Sequence, residues 1–326
     1  MTFRLALGIG LVTLALGPSR LGSAQPATAQ ESRSAAPVTH VIEVEQGVNL
    51  HVVEWGGAGS PILFVPSWSA TSRVFDTFAP KFTDSHRVLV INKRGHGPSS
   101  RPAHGYTIDR LTKDMEVVLD RLGIQRATLV GLSRSESLVS QFAAKYPDRV
   151  ASLIYLTGPL DRAYYAARFQ EPEMASSAAQ RNAVEAELRQ LCGASPQEVP
   201  PPADSFDAAA NQVGMEWRAT DPSPPYSAIR APAIAFWFLE TDKEHFYARA
   251  CDDVADRERV RELLRRLNRA STPLYAMQAH DIGLFEQNMQ SGKVVLIPGA
   301  QYYTYLSHPD LVEEQIRSFL EENESD

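Results

Sequence analysis

The sequence predicts an α/β fold in which a mainly parallel central sheet is flanked by helices and carries a helical lid insertion. Three observations predict it. Short apolar runs of strand length alternate with helix-period stripes over 40–158 and again over 229–326. The runs are nearly continuous in apolar residues, as strands buried on both faces are. The intervening stretch, 159–228, holds helical pieces and the proline clusters Pro200-Pro201-Pro202 and Pro222-Ser223-Pro224-Pro225, but no strand rhythm.

The expected strands are His40–Val44, Leu50–Trp55, Pro61–Pro66, Arg87–Ile91, Ala127–Val130, Val150–Leu156, Ile234–Leu239 and Val294–Pro298. Gly47 takes the turn between the first two. A helix with Val74, Phe75 and Phe78 on one side is expected after the third strand. Thr107 is a good N-cap for a helix whose stripe is Ile108, Leu111, Met115, Val118, Leu119 and Leu122. A further helix runs to Tyr146, where Pro147 stops it, and a charged helix lies around Arg257–Asn268. Ser307-x-x-Asp310, with Pro309 in the first turn, launches a last helix with Val312, Ile316 and Phe319 inward. The acidic end, 321–326, is expected to fray.

At 326 residues, 44% apolar and 22% charged, the chain reads as an ordinary globular protein, long enough for one large domain with an insertion or for two smaller domains. Its net charge is −7, and the scattered basic residues speak against a nucleic-acid partner. Arg4 precedes an apolar run, Leu5–Gly17, too short to span a bilayer. Small residues at Gly22-Ser23-Ala24 and Ala27-Thr28-Ala29 suit a cleavage site. Residues 1–29 therefore read as a signal peptide, 30–39 as a disordered polar linker, and the mature protein as exported to periplasm or medium with no stable membrane anchor. Export would permit a disulfide between Cys192 and Cys251, closing a loop of about sixty residues. Two unpaired buried thiols fit the sequence as well. No zinc spacing occurs, so neither metal nor cofactor is expected.

One stretch organises the rest. In Ala127–Ser140 an apolar run leads at once into Gly131-Leu132-Ser133-Arg134-Ser135 and then a helix. Strand, tight turn with serine at its apex, helix: that is the nucleophile elbow G-x-S-x-G, with Ser135 in place of the second glycine. Arg94-Gly95-His96-Gly97-Pro98-Ser99-Ser100, Pro232–Asp242 and Ile297-Pro298-Gly299-Ala300 stand around it in order. With these motifs, the chain from about residue 40 to 322 resembles the α/β-hydrolase fold family.

The resemblance implies a triad of serine, acid and histidine in chain order. Ser133 takes the nucleophile's position. Asp242 fits the acid best, with Glu240 and Asp161 as alternatives. Tyr302 occupies the histidine's slot; His308 comes later, and His245 and His280 lie elsewhere in the C-terminal half. His96 reads as a residue that orders its loop. The implied oxyanion donors are the backbone N–H groups of Trp68 and Arg134, although Pro66-Ser67-Trp68 stands where the family has His-Gly. A phenol titrates near pH ~10, so Tyr302 would need help to act as a base, and Arg134 could lower its pKa. The expected activity is hydrolysis of an ester or related acyl bond through a serine nucleophile with a divergent triad, on a partly apolar small molecule selected by the lid. Tyr164, Tyr165, Phe169 and Trp217 would line the pocket. The alternative is a retired homologue that binds a small molecule or another protein. The oligomeric state is left open.

Overall fold

The computed structural model describes residues 36–194, 201–207, 222–238 and 242–324. The leader, most of the linker, Glu240 and Trp217 lie outside the described residues, as do the side chains of Asp242 and His245.

The eight expected strands form, with ends shifted by a residue or two. They are β1 (Val38–Glu45), β2 (Val48–Gly56), β3 (Pro61–Val65), β4 (Arg87–Asn92), β5 (Ala127–Gly131), β6 (Val150–Tyr155), β7 (Ala233–Phe238) and β8 (Gly292–Ile297). β1 starts inside the expected 30–39 linker, because Val38 pairs with Glu54 across the hairpin. The sheet runs β1-β2-β4-β3-β5-β6-β7-β8. β2 is antiparallel to both neighbours, and every other pair is parallel.

Strand alternation explains the continuous apolar runs. Leu63, Val65, Leu89, Ile91, Leu129, Leu153 and Tyr155 face one core. Ile62, Phe64, Val88, Val90, Val130 and Ile154 face the other. Helices α1 (Ile108–Arg121) and α2 (Ser135–Lys145) cover the first face. Thr107 caps α1, accepting from Arg110 N–H at 3.3 Å. The second face is covered by two short 3₁₀ turns, Ser72–Phe75 and Ala79–Phe82, in place of the expected helix; Pro80 in the second cannot donate to a helical ladder.

The lid differs most from expectation. Helices α3 (Arg162–Arg168) and α4 (Pro172–Cys192) rise from the expected insertion. They are joined by α5 (Asp242–Ala250) and by the start of α6 (Arg257–Asn288), which the sequence assigned to the core. Val184 and Leu188 pack with Tyr247, Cys251, Val260, Leu263 and Leu267 in a separate small core. The helical layer is thus built from two segments, stapled by a disulfide between Cys192 and Cys251 with Cα atoms 4.9 Å apart. α6 runs 32 residues, well past Asn268, straight through Pro273. Proline there removes one ladder hydrogen bond, and Ser177 Oγ donates to the nearby Ala270 carbonyl.

After β8 comes a single turn, α7 (Thr304–Ser307), and then α8 (Pro309–Glu324), which packs on the second face. Ser307 does not form the expected capping box; its Oγ accepts from Gln301 N–H at 3.1 Å and donates to Thr304 O at 3.3 Å. Nor does the acidic end fray at 321: α8 holds to Glu324, whose carboxylate meets His86 Nε2 at 3.2 Å. Among the described residues no helix is long and apolar enough to cross a membrane.

Candidate active site

Parallel register brings the site together. Val65 pairs with Gly131, and Gly131 with Tyr155, so three strands end level. The segments leaving them, Pro66-Ser67-Trp68, Leu132-Ser133-Arg134 and Leu156-Thr157, lie side by side at the carboxyl edge of the sheet, where open α/β sheets bind ligands.

Ser133 has φ +57°, and among the described residues no other non-glycine has positive φ. That conformation costs a residue with a Cβ on the order of 1–2 kcal/mol. The surrounding backbone enforces it: Leu132 N–H donates to Val65 O at 3.3 Å, Ser133 N–H to Thr157 Oγ1 at 3.0 Å, and Ser135 N–H to Leu132 O at 3.1 Å. Gly131 permits the sharp return of α2, since a Cβ there would lie 2.9 Å from Glu136 Cα.

Tyr302 meets the serine. Its hydroxyl donates to Ser133 Oγ at 2.5 Å, and its ring packs edge-on to Phe238 and Tyr303. The residue keeps 40% of its surface exposed, while its hydroxyl end is closed in. Loss of hydration at that end pushes the phenol above its ordinary pKa; the bond to Ser133 and the charges of Arg162 and Arg134 pull it down by less. Arg134 lowers the phenol in the expected direction, and burial outweighs it.

The loop that replaces His-Gly is held from behind. Lys93, fully buried at the end of β4, donates from Nζ to Pro66 O at 2.7 Å and to Ser67 O at 3.0 Å. Ser135 Oγ donates to the same Pro66 carbonyl, and His96 Nε2 reaches Trp68 O. In a trans peptide the C=O and the next N–H point opposite ways. Pinning the carbonyls of Pro66 and Ser67 therefore turns the N–H groups of Ser67 and Trp68 away from Lys93, and pinning that of Trp68 turns the Ser69 N–H away from His96. Burial lowers the Lys93 ammonium to about 7. His96, buried beside that charge, is lowered to about 4, and its Nδ1 faces Arg94 O at 2.8 Å. Its loop-ordering role holds. Arg134 stands at the N-terminal boundary of α2, where backbone N–H groups are free of helical partners.

Asp242 begins α5, and Glu240 lies outside the described residues. Asp161 is engaged at the root of the lid. It caps α3 through Tyr164 N–H at 3.2 Å, accepts from Ser223 Oγ at 3.0 Å and lies 3.9 Å from His280. His280 stacks on Tyr164, and His308 bonds Ser307 Oγ at 3.1 Å, so neither stands with Ser133. Tyr164 and Tyr165 also make an edge contact with each other at the lid's first helix.

Sequence reading missed two buried ionisable residues. Lys93 lies in the motif after β4, and Glu136 begins the inward face of α2. Glu136 Oε1 accepts from Thr157 N–H at 2.7 Å and from Thr157 Oγ1 at 2.9 Å. Burial raises its carboxyl to about 8. For Glu136 the available signal was a carboxylic acid among small and apolar residues beside the elbow; Lys93, between Asn92 and Arg94, gave no such signal. Among the described residues no cluster of His, Cys, Asp and Glu is arranged to hold a metal ion.

Comparison with known proteins matches residues 60–243 to the sequence model described as alpha/beta hydrolase fold. Epoxide hydrolase A of Mycobacterium tuberculosis (strain ATCC 25618 / H37Rv) is 28% identical over 65% of this chain and 69% of its own length. The bifunctional esterase/perhydrolase DCH of Acinetobacter calcoaceticus is 29% identical over 36% of this chain, which spans only 43% of that relative. Among solved structures, a bacterial membrane phospholipase A superposes with TM-score 0.58 at 17% identity, covering 89% of this chain and 88% of its own. That last likeness is one of fold.

Proposed function

The chain belongs to the alpha/beta hydrolase fold family, and we propose that it hydrolyses an ester or related acyl bond through Ser133. The observation that carries this reading is the Ser133 backbone, held at φ +57° with its hydroxyl against Tyr302. The relatives named as epoxide hydrolase and esterase support hydrolysis as the reaction class. Serine favours the acyl substrate on chemical grounds. Attack on an epoxide would leave an ether on the enzyme, with no carbonyl for water to attack, whereas an acyl-serine is an ester that water can open.

A phenol with raised pKa can take the serine proton only as it gives up its own. In this reading Ser133 Oγ bonds to the acyl carbon while its proton passes to Tyr302, and the phenol proton passes to the departing alkoxide as the carbon–oxygen bond breaks. Water then attacks the acyl-enzyme, giving a proton to Tyr302 while Tyr302 returns one to Ser133. The N–H groups of Trp68 and Arg134 would steady the oxyanion. Asp242 would orient the phenol. The lid would select the substrate, and export of the mature chain agrees with its disulfide.

A retired homologue that binds a small molecule is the second reading, and one observation favours it. In the resting site the Tyr302 proton points at Ser133 Oγ, so the pair holds no free base. Labelling of the purified protein with a fluorophosphonate, read by mass spectrometry, separates the two. Stoichiometric modification at Ser133, absent in Ser133→Ala, supports the hydrolase. No modification in the wild type, with modification restored by Tyr302→His, supports the binder.

A further inference from the structure

The segment that joins the sheet to the lid, Thr157–Asp161, is gripped residue by residue from below. Thr157 bonds Glu136 through both N–H and hydroxyl. Gly158, at φ +77°, lies so close beneath Trp237 that a Cβ would fall 2.1 Å from the indole Nε1. Pro159 O accepts weakly from Tyr226 at 3.5 Å, and Asp161 N–H donates to Asp281 Oδ1 at 2.9 Å. The elbow hangs on the same segment, because Ser133 N–H donates to Thr157 Oγ1. Glu136 is where the two meet. Its Cα and Cγ pack against Gly131 below the serine, and its Oε1 accepts both Thr157 bonds.

Resting on the reading of Ser133 as nucleophile, we propose that Glu136 is a positioning residue that fixes the elbow and the root of the lid as one unit through Thr157. The carboxyl works in its neutral form. Glu136 is 1% exposed, and its Oε2 has no hydrogen-bond partner among the described residues. A carboxylate there would leave a buried charge on an oxygen with no donor. Among the groups around it, the Ser133 N–H favours the carboxylate, but burial outweighs it. Arg162, the first residue of α3, is the cation that acts on it. Tyr155, Tyr226 and Tyr302 are phenols whose ionisation it opposes, and Asp281, beyond Tyr226, is itself an acid raised to about 6 by burial. Deprotonation makes Glu136 a stronger acceptor for Thr157 but leaves a charge closed off from water; hydrating that charge opens the packing around it, so the lid root loosens and the support of the Ser133 N–H weakens with it.

Two readouts on the full chain test this between pH 6.5 and 9.5. One is the rate of fluorophosphonate labelling of Ser133, corrected for reagent hydrolysis. The other is amide-exchange protection of Thr157–Asp161. In the wild type both fall with a midpoint near pH 8, labelling by about tenfold for each unit above it. Glu136→Gln, which keeps the shape and the acceptor oxygen, retains the pH 6.5 values and abolishes the fall. Glu136→Ala shows low labelling and low protection at every pH. Lys93 titrates near 7 and contributes a limb that both variants keep. An unchanged midpoint in Glu136→Gln, or wild-type behaviour of Glu136→Ala at pH 6.5, would overturn the proposal. If Ser133 labels at no pH, the hydrolase reading fails while the exchange profile still decides the role of Glu136.

Discussion

Tyr302 Oη lies 2.5 Å from Ser133 Oγ and is the donor in that bond. The two residues are 169 positions apart, and β8 delivers one to the strand-end where β5 delivers the other. The two hydroxyls are in hydrogen-bond contact, and the direction of that bond is what departs from a serine–imidazole pair. An imidazole would accept from the serine; this phenol donates to it.

Removing the phenol hydroxyl therefore removes the only group placed to exchange protons with Ser133 among the described residues. Tyr302→Phe should lower the labelling rate of Ser133 by roughly 10²–10⁴-fold, the usual worth of a general base or acid. Turnover of an activated ester should fall in parallel. A Phe variant that labels at the wild-type rate would end the relay mechanism.

Glu136 also makes a stability prediction whose sign follows from linkage. Its folded pKa, about 8, lies above the ordinary 4.5, so the folded state holds a proton that the unfolded chain releases. The contribution is fully present below pH 4.5 and is lost as pH rises to about 8, amounting to on the order of 5 kcal/mol across that window. Urea denaturation of wild type and Glu136→Gln from pH 5 to 8 checks it. The wild type should lose ground steadily relative to the variant.

Lys93 has the opposite sign. Its ammonium is lowered to about 7 from 10.5, so the unfolded chain binds the extra proton and stability rises with pH between those values. Lys93→Met should thus abolish that rise. Pro66 O keeps Ser135 and Ser67 O keeps Ala70 N–H, so the loop folds but is held less firmly. Ser133 labelling should drop by about tenfold through misplaced oxyanion donors, with little change in the reagent's half-saturating concentration.

Breaking the Cys192–Cys251 bridge should separate the lid's two segments energetically. The closed loop spans 59 residues, for which the chain-entropy model predicts about 4 kcal/mol. A Cys192→Ser/Cys251→Ser double variant should melt lower by on the order of 10 °C. Amide exchange should rise first in α4 and α5, leaving the sheet protected.

The strands, their order in the chain and the strand–turn–helix at Ser133 were readable because each depends on local signals. Apolar runs of strand length, Thr107 before a helical stripe, and a glycine beside a serine between strand and helix declare themselves within a few residues. The two-part lid was not readable. Val184 and Val260 share a core through contacts between residues far apart in sequence, and α6 continues past Pro273 because other helices support it there. Ser307 looked like a cap and serves instead as a bracket for Gln301.

By itself, the sequence determined an α/β sheet with a serine at the apex of its elbow and a tyrosine in the position opposite. Periodicity and turn chemistry are properties of short segments, and short segments carry them into any context. The tertiary structure alone decided the direction of the Ser133–Tyr302 hydrogen bond and the upward shift of the phenol. It likewise decided that Lys93 and Glu136 are buried beside the site. Those outcomes depend on desolvation and on which distant groups fill the space around a charge, quantities that exist only once the strands have been brought side by side.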